Sequence, residues 1–191
     1  LYSGDTGVLD PSGDIILFDR SGDIITLQDG TRIPPRVIED MLKFTPYVQQ
    51  AMVLGEGRPY LTAILNIDFQ NVGKWAEDRG VAYTSYMDLS QKPEVLELLE
   101  KLVRETNARL QPGWRVRAFV SLYKEFHPDD DELTRTRKLR RRHILERYRE
   151  LVEAVYAGAD RFRATVTVRY EDGRVATLHP VMEIRRLEAD G

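Results

Sequence analysis

Apolar residues along this chain change their spacing several times, and the changes predict an ordered set of elements. Short apolar runs at 15–18 and 24–27 are bounded by the turn signals Pro11-Ser-Gly-Asp14, Ser21-Gly-Asp23 and Gln28-Asp-Gly30, so residues 1–33 read as short strands and turns. At Pro34-Pro35 the period lengthens. Val37, Ile38, Met41 and Leu42 recur at helical spacing behind a proline whose missing N–H costs nothing at a helix start, which predicts a helix ending near Phe44. Residues 48–54 and 61–67 read as a β-hairpin turned by Gly55-Glu-Gly-Arg-Pro59.

A helix over 69–79 should close at Gly80, and residues 81–92 read as a loop. Pro93 then opens a helix with an apolar stripe of Val95, Leu98, Leu99, Leu102, Val103 and Leu110. A strand over 116–122, a polar loop over 124–137 and a last helix over 139–156 follow, the helix turning Ile144, Tyr148, Leu151, Val152 and Val155 inward. From Phe162 the period drops to two, and Glu171-Asp-Gly-Arg174 turns the chain into a second alternating stretch ending near Leu187. The predicted fold is α+β: a small central β-sheet flanked by helices, preceded by a β-hairpin linker and followed by a C-terminal β-hairpin.

Composition narrows the function without naming it. A chain of 191 residues with 42% hydrophobic content can bury a core. Its 28 basic and 31 acidic residues give a formal charge of −3, which argues against a carrier of nucleic acid, so anion binding has to be local. Cysteine is absent, which removes disulfides and thiolate chemistry, and His127, His143 and His179 lack the spacing of a metal site. No apolar run approaches the ~20 residues of a transmembrane helix, and the first residues lack the basic, apolar and small-residue zones of a signal peptide, so a cytoplasmic location is expected, with peripheral membrane contact left open. The start at Leu1, inside a glycine-aspartate turn, suggests a piece of a longer protein.

Local charge peaks in Leu133-Thr-Arg-Thr-Arg-Lys-Leu-Arg-Arg-Arg142, where six basic side chains fall within the eight positions 135–142 at a predicted helix start. Lys138 is the candidate for chemistry, because a compact ammonium on a flexible stem suits a developing negative charge on carboxylate or phosphate oxygen. Taken alone, the run fits a solvated helix face at least as well, partly neutralised by Asp129-Asp-Asp-Glu132. It also admits a phosphate-contact stripe of a nucleic-acid-binding module, although no interleaved aromatics support that reading. Asp5 can accept hydrogen bonds from sugar hydroxyls and Arg20 can donate to phosphate, but a turn cap and local ion pairs account for both as well.

Order decides among these alternatives. Gly4-Asp-Thr-Gly7, Asp10-Pro-Ser-Gly13, Asp19-Arg20, Gly22-Asp-Ile-Ile25, then Asp29-Gly-Thr-Arg-Ile-Pro-Pro35 with Glu39, and far downstream the Lys138 stretch, resemble the C-terminal end of the AMP-forming acyl-CoA synthetases, in their long-chain fatty acid branch. The resemblance covers about residues 2–157. It implies an enzyme that activates a fatty acid with ATP and Mg2+, releasing pyrophosphate, and then passes the acyl group to coenzyme A. It also implies a mobile C-terminal domain over 22–157, a remnant of a large N-terminal domain and hinge over 1–21, and a hairpin extension over 158–191.

By that resemblance Lys138 is the adenylation residue, Asp5 holds the ribose hydroxyls, Arg20 contacts ribose or phosphate, and Gly22 lies at the hinge. Four departures from the family pattern stand out: Ser3 in place of threonine, Gly22 in place of a charged hinge residue, Thr26 in place of lysine, and the extra charges of Arg135 and Arg137. The partners implied are the N-terminal domain, fatty acid, ATP and coenzyme A, without nucleic acid, and the fragment alone should be inactive.

Overall fold

The computed structural model describes residues 5–9, 15–20, 24–169 and 174–187. Strand β1 (Asp5–Leu9) pairs antiparallel with β2 (Ile15–Arg20), and β3 (Ile25–Thr26) with β4 (Arg32–Ile33). Helix α1 (Pro35–Lys43) precedes the antiparallel pair β5 (Val48–Leu54) and β6 (Leu61–Ile67). Three helices, α2 (Phe69–Glu77), α3 (Tyr86–Ser90) and α4 (Pro93–Asn107), then carry the chain across to β7 (Val116–Ser121), which lies parallel to β6. Helices α5 (Arg141–Arg147) and α6 (Arg149–Tyr156) lead into β8 (Arg161–Arg163), β9 (Val166–Arg169), β10 (Val175–Leu178) and β11 (Val181–Arg186). The central sheet has five strands in the order β5-β6-β7-β11-β8, so the predicted α+β class holds.

Alternation along the strands sorts the apolar side chains into two cores. Ala51, Val53, Ala63, Leu65 and Phe119 join Ile38 and Leu42 of α1 and Leu99 and Val103 of α4. Met52, Leu54, Ile64, Ala118 and Val120 point the opposite way, into a second core with Ile144, Leu151, Val152 and Val155 of α5 and α6. All seven residues of β6 are buried, as a strand covered on both faces requires. One face of the sheet therefore carries α1 and α4, and the other carries α5, α6 and the loop bearing Lys138.

Four sequence expectations change. The predicted loop over 81–92 contains α3, and its sequence signal was Ser85-Tyr-Met-Asp88: the Ser85 hydroxyl accepts from the Asp88 amide at 3.2 Å while Asp88 accepts from the Thr84 amide at 2.9 Å. On α4 the inward stripe includes Leu96, while Leu98 is half-buried. The last helix starts at Arg141 rather than 139, because Leu139 is engaged in a bridge to Leu133 and the Arg140 amide donates to the Glu132 carbonyl at 2.9 Å; it also breaks at Tyr148 (φ −102°, ψ 21°). The segment after 158 is also more than one hairpin. β9 and β10 form an outer ribbon, whereas β11 pairs with β7 and β8, placing Met182 and Ile184 in the second core.

Candidate functional site

Lys138 lies on a tight loop closed at its base. Leu133 and Leu139 bridge antiparallel, and the Thr134 amide donates to the Lys138 carbonyl at 2.8 Å. The Lys138 amide returns a bond to the Thr134 hydroxyl at 3.1 Å, and the Arg137 amide donates to the Thr134 carbonyl at 2.9 Å. Making so short a turn puts Arg137 in the left-handed region (φ 59°), which a non-glycine residue occupies at a cost. The Lys138 side chain is exposed, and among the described residues no hydrogen bond or ion pair reaches its ammonium.

Beneath the loop, Glu132 is fully buried (0% exposed) with both carboxylate oxygens occupied. Oε1 accepts from the Tyr148 hydroxyl at 2.6 Å and lies 3.4 Å from Arg147 Nε, while Oε2 accepts from Lys124 Nζ at 2.5 Å and the His127 amide at 3.0 Å. Asp130 shares the same cations, 2.9 Å from Lys124 and 3.3 Å from Arg147. Burial works against ionisation of Asp130, but the bonds and charges of Lys124 and Arg147 outweigh it and hold the carboxyl below its ordinary value. Burial first, and then the bond to Glu132, push the Tyr148 phenol up, so it stays a donor.

The arginines that follow Lys138 are paired with carboxylates. Arg140 pairs with Asp131, Arg141 with the buried Glu39 of α1, and Arg142 with Glu146 at 3.2 Å. Glu39 also accepts from the Val53 amide at 2.7 Å, and Arg141 Nη1 donates to the Val53 carbonyl at 3.2 Å, so one ion pair ties α1, β5 and α5 together. Burial raises the Glu39 carboxyl above its usual range against the opposing charge of Arg141. An open polar groove of about 670 Å3 runs between α1 and this stretch, with Arg36, Asp40 and Lys43 facing Lys138 and Arg142.

This pairing bears on the nucleic-acid alternative. A phosphate-contact stripe needs free cations, and half of the stretch is committed to carboxylates of its own chain. The structure brings Lys138 together with Arg137 and Arg142 beside the groove. Asp5 and Arg20 are cross-strand partners in the β1–β2 pair. Gly22 lies outside the described residues. Sequence reading missed Glu132 and Lys124. Nothing local marks Glu132 apart from the three aspartates before it; only its position next to the inward-facing Leu133 hints at burial.

A family model for the AMP-binding enzyme C-terminal domain matches residues 22–160. The chain belongs to that family. Among curated relatives, the long-chain-fatty-acid–CoA ligase FadD15 of Mycobacterium tuberculosis is 30% identical over 155 residues, covering 81% of this chain and 26% of the relative. The long-chain-fatty-acid–CoA ligase heimdall of Drosophila melanogaster is 25% identical over 194 residues, covering 82% of this chain and 28% of the relative. Of solved structures, the adenylation domain of a carboxylate reductase from Mycobacterium chelonae superposes with a TM-score of 0.63 at 24% identity, covering 81% of this chain and 23% of that one, which is a likeness of fold. The chain thus spans about a quarter of the length of these relatives. Within this AMP-binding enzyme C-terminal domain, Lys138 stands exposed and, among the described residues, unpaired on a loop closed at its base by the Leu133–Leu139 bridge.

Proposed function

We propose that this chain is the C-terminal domain of an AMP-forming acyl-CoA synthetase acting on long-chain fatty acids, with Lys138 as its adenylation residue. The observation that carries this reading is the unpaired, exposed ammonium of Lys138 on a loop braced by the buried Glu132, in a chain of the AMP-binding C-terminal family. In the first half-reaction a carboxylate oxygen of the fatty acid attacks the α-phosphorus of ATP, and the bond to pyrophosphate breaks. Negative charge gathers on the α-phosphate oxygens where the carboxylate oxygen meets phosphorus, and Lys138 stabilises it. In the second half-reaction the thiol of coenzyme A attacks the acyl carbonyl and AMP departs, for which Lys138 has to withdraw.

Residues 1–21 are the end of the large domain with the hinge at Gly22, residues 22–157 the moving domain and 158–191 an extension. Asp5 binds the ribose hydroxyls and Arg20 the ribose or phosphate; their cross-strand register keeps the two backbones adjacent. Mg2+ arrives with the ATP phosphates, and among the described residues no group of three or more acidic or histidine side chains is placed to hold it. No helix among them is long and apolar enough to cross a membrane. The test uses the full-length protein. With ATP, Mg2+ and a long-chain fatty acid it should release pyrophosphate and retain acyl-adenylate, and coenzyme A should convert that to acyl-CoA and AMP; absence of acid-dependent pyrophosphate release refutes the reading.

A further inference from the structure

We infer that Glu132 is a positioning residue for adenylation: its buried carboxylate sets where Lys138 is presented. The inference rests on the adenylation role of Lys138 and adds a second residue to it.

Hydrogen bonds of the loop tip, residues 134–138, are confined to the loop itself: Thr134 to Lys138, Arg137 to Thr134, and the Thr134 and Thr136 hydroxyls to each other at 3.0 Å. Orientation therefore has to enter through the base. Glu132 is the base on both counts, because its carbonyl accepts the Arg140 amide at 2.9 Å, closing the loop, and its side chain anchors that closure to the body. Three donors and one further cation surround the two oxygens: Lys124 and the His127 amide from the chain after β7 and the Tyr148 hydroxyl at the α5–α6 break donate to them, and Arg147 of α5 makes an ion pair at 3.4 Å. The loop is thus referenced both to the end of the sheet and to the helix that follows it.

Stability alone does not call for this arrangement. Well-packed apolar residues generally match or exceed a buried ion cluster, so a fully desolvated carboxylate at the root of a catalytic loop is better explained by geometry than by energy. Leu133, beside it, supplies the apolar anchor in the second core.

The experiment uses the full-length protein with Glu132→Gln, Lys138→Ala and the two combined. It measures pyrophosphate release without coenzyme A, and thioester formation from preformed acyl-adenylate. Glu132→Gln keeps the shape but not the charge; a displacement of Lys138 by a fraction of an ångström to one ångström slows adenylation about tenfold to a hundredfold. Thioester formation stays at the wild-type rate. In the Lys138→Ala background the same substitution adds less than about a factor of two, because its effect passes through the lysine already removed. Tyr148→Phe, which deletes a single bond to Glu132, gives a smaller selective loss of about fivefold and serves if the glutamine variant does not fold.

Equal slowing of both half-reactions by Glu132→Gln or Tyr148→Phe, or an undiminished factor on top of Lys138→Ala, overturns the inference. A selective Lys138→Ala defect with an indifferent Glu132→Gln overturns it while leaving the lysine's role intact. A Lys138→Ala variant equally slow in both half-reactions removes the lysine's role and this inference together.

Discussion

Replacing Glu39 by alanine probes the joint that holds the Lys138 stretch to the rest of the domain. The Val53 amide, on a fully buried strand residue, loses the acceptor it has at 2.7 Å. A stranded buried N–H costs about 1–3 kcal/mol. Arg141 loses its carboxylate but keeps the Val53 carbonyl at 3.2 Å, and its side chain is 22% exposed, so water takes up part of the deficit. That loss falls below the ~3–5 kcal/mol of breaking a fully buried pair, and removal of a desolvated carboxylate returns some free energy. The net destabilisation comes to about 3 kcal/mol.

At roughly 2–4 °C per kcal/mol for a domain of this size, Tm falls by about 6–12 °C. Glu39→Gln keeps an oxygen facing the Val53 amide and should lose only about 1 kcal/mol. Urea unfolding and a thermal scan of the 191-residue chain measure both. An alanine variant within about 0.5 kcal/mol of wild type, or a glutamine variant as damaged as the alanine one, refutes the reasoning.

Other outcomes follow from the same structure. Burial holds the Glu39 carboxyl above its ordinary range, so the folded chain keeps a proton that the unfolded chain releases; this group's contribution is fully present below the unfolded pKa and is lost as pH rises through the folded one. Glu39→Gln removes that loss, so its urea stability relative to wild type should improve as pH rises through that window, and a widening gap contradicts the account. Asn66 is buried, donating to the Lys124 carbonyl at 2.8 Å and accepting from the Phe126 amide at 2.9 Å, so Asn66→Ala should cost about 2 kcal/mol by urea titration. At Arg137 (φ 59°) valine should cost about 1–2 kcal/mol while glycine leaves stability nearly unchanged; equal effects would show that the turn is not strained.

Much of this architecture was legible because burial repeats with the period of the backbone. The alternating Ala51-Met-Val-Leu54 run divides between the two cores, and the Pro93 helix presents its stripe to the first of them. What escaped prediction was set by contacts distant in sequence. The helix start moved to Arg141 because Glu132 takes the Arg140 amide, and the terminal hairpin split because β11 found β7, more than sixty residues earlier. Lys138 was visible as a member of an ordered motif series. Its isolation was not, because the partners of Arg140, Arg141 and Arg142 lie nine, 102 and four positions away.

Half-reaction rates of the Lys138→Ala full-length protein bear most directly on the account. Pyrophosphate release with fatty acid and ATP should fall by about two orders of magnitude or more, as loss of a single preorganised charge contact in a transition state does. Acyl-CoA formation from preformed acyl-adenylate should proceed at the wild-type rate. Equal loss of both, or retention of adenylation, contradicts the role given to Lys138.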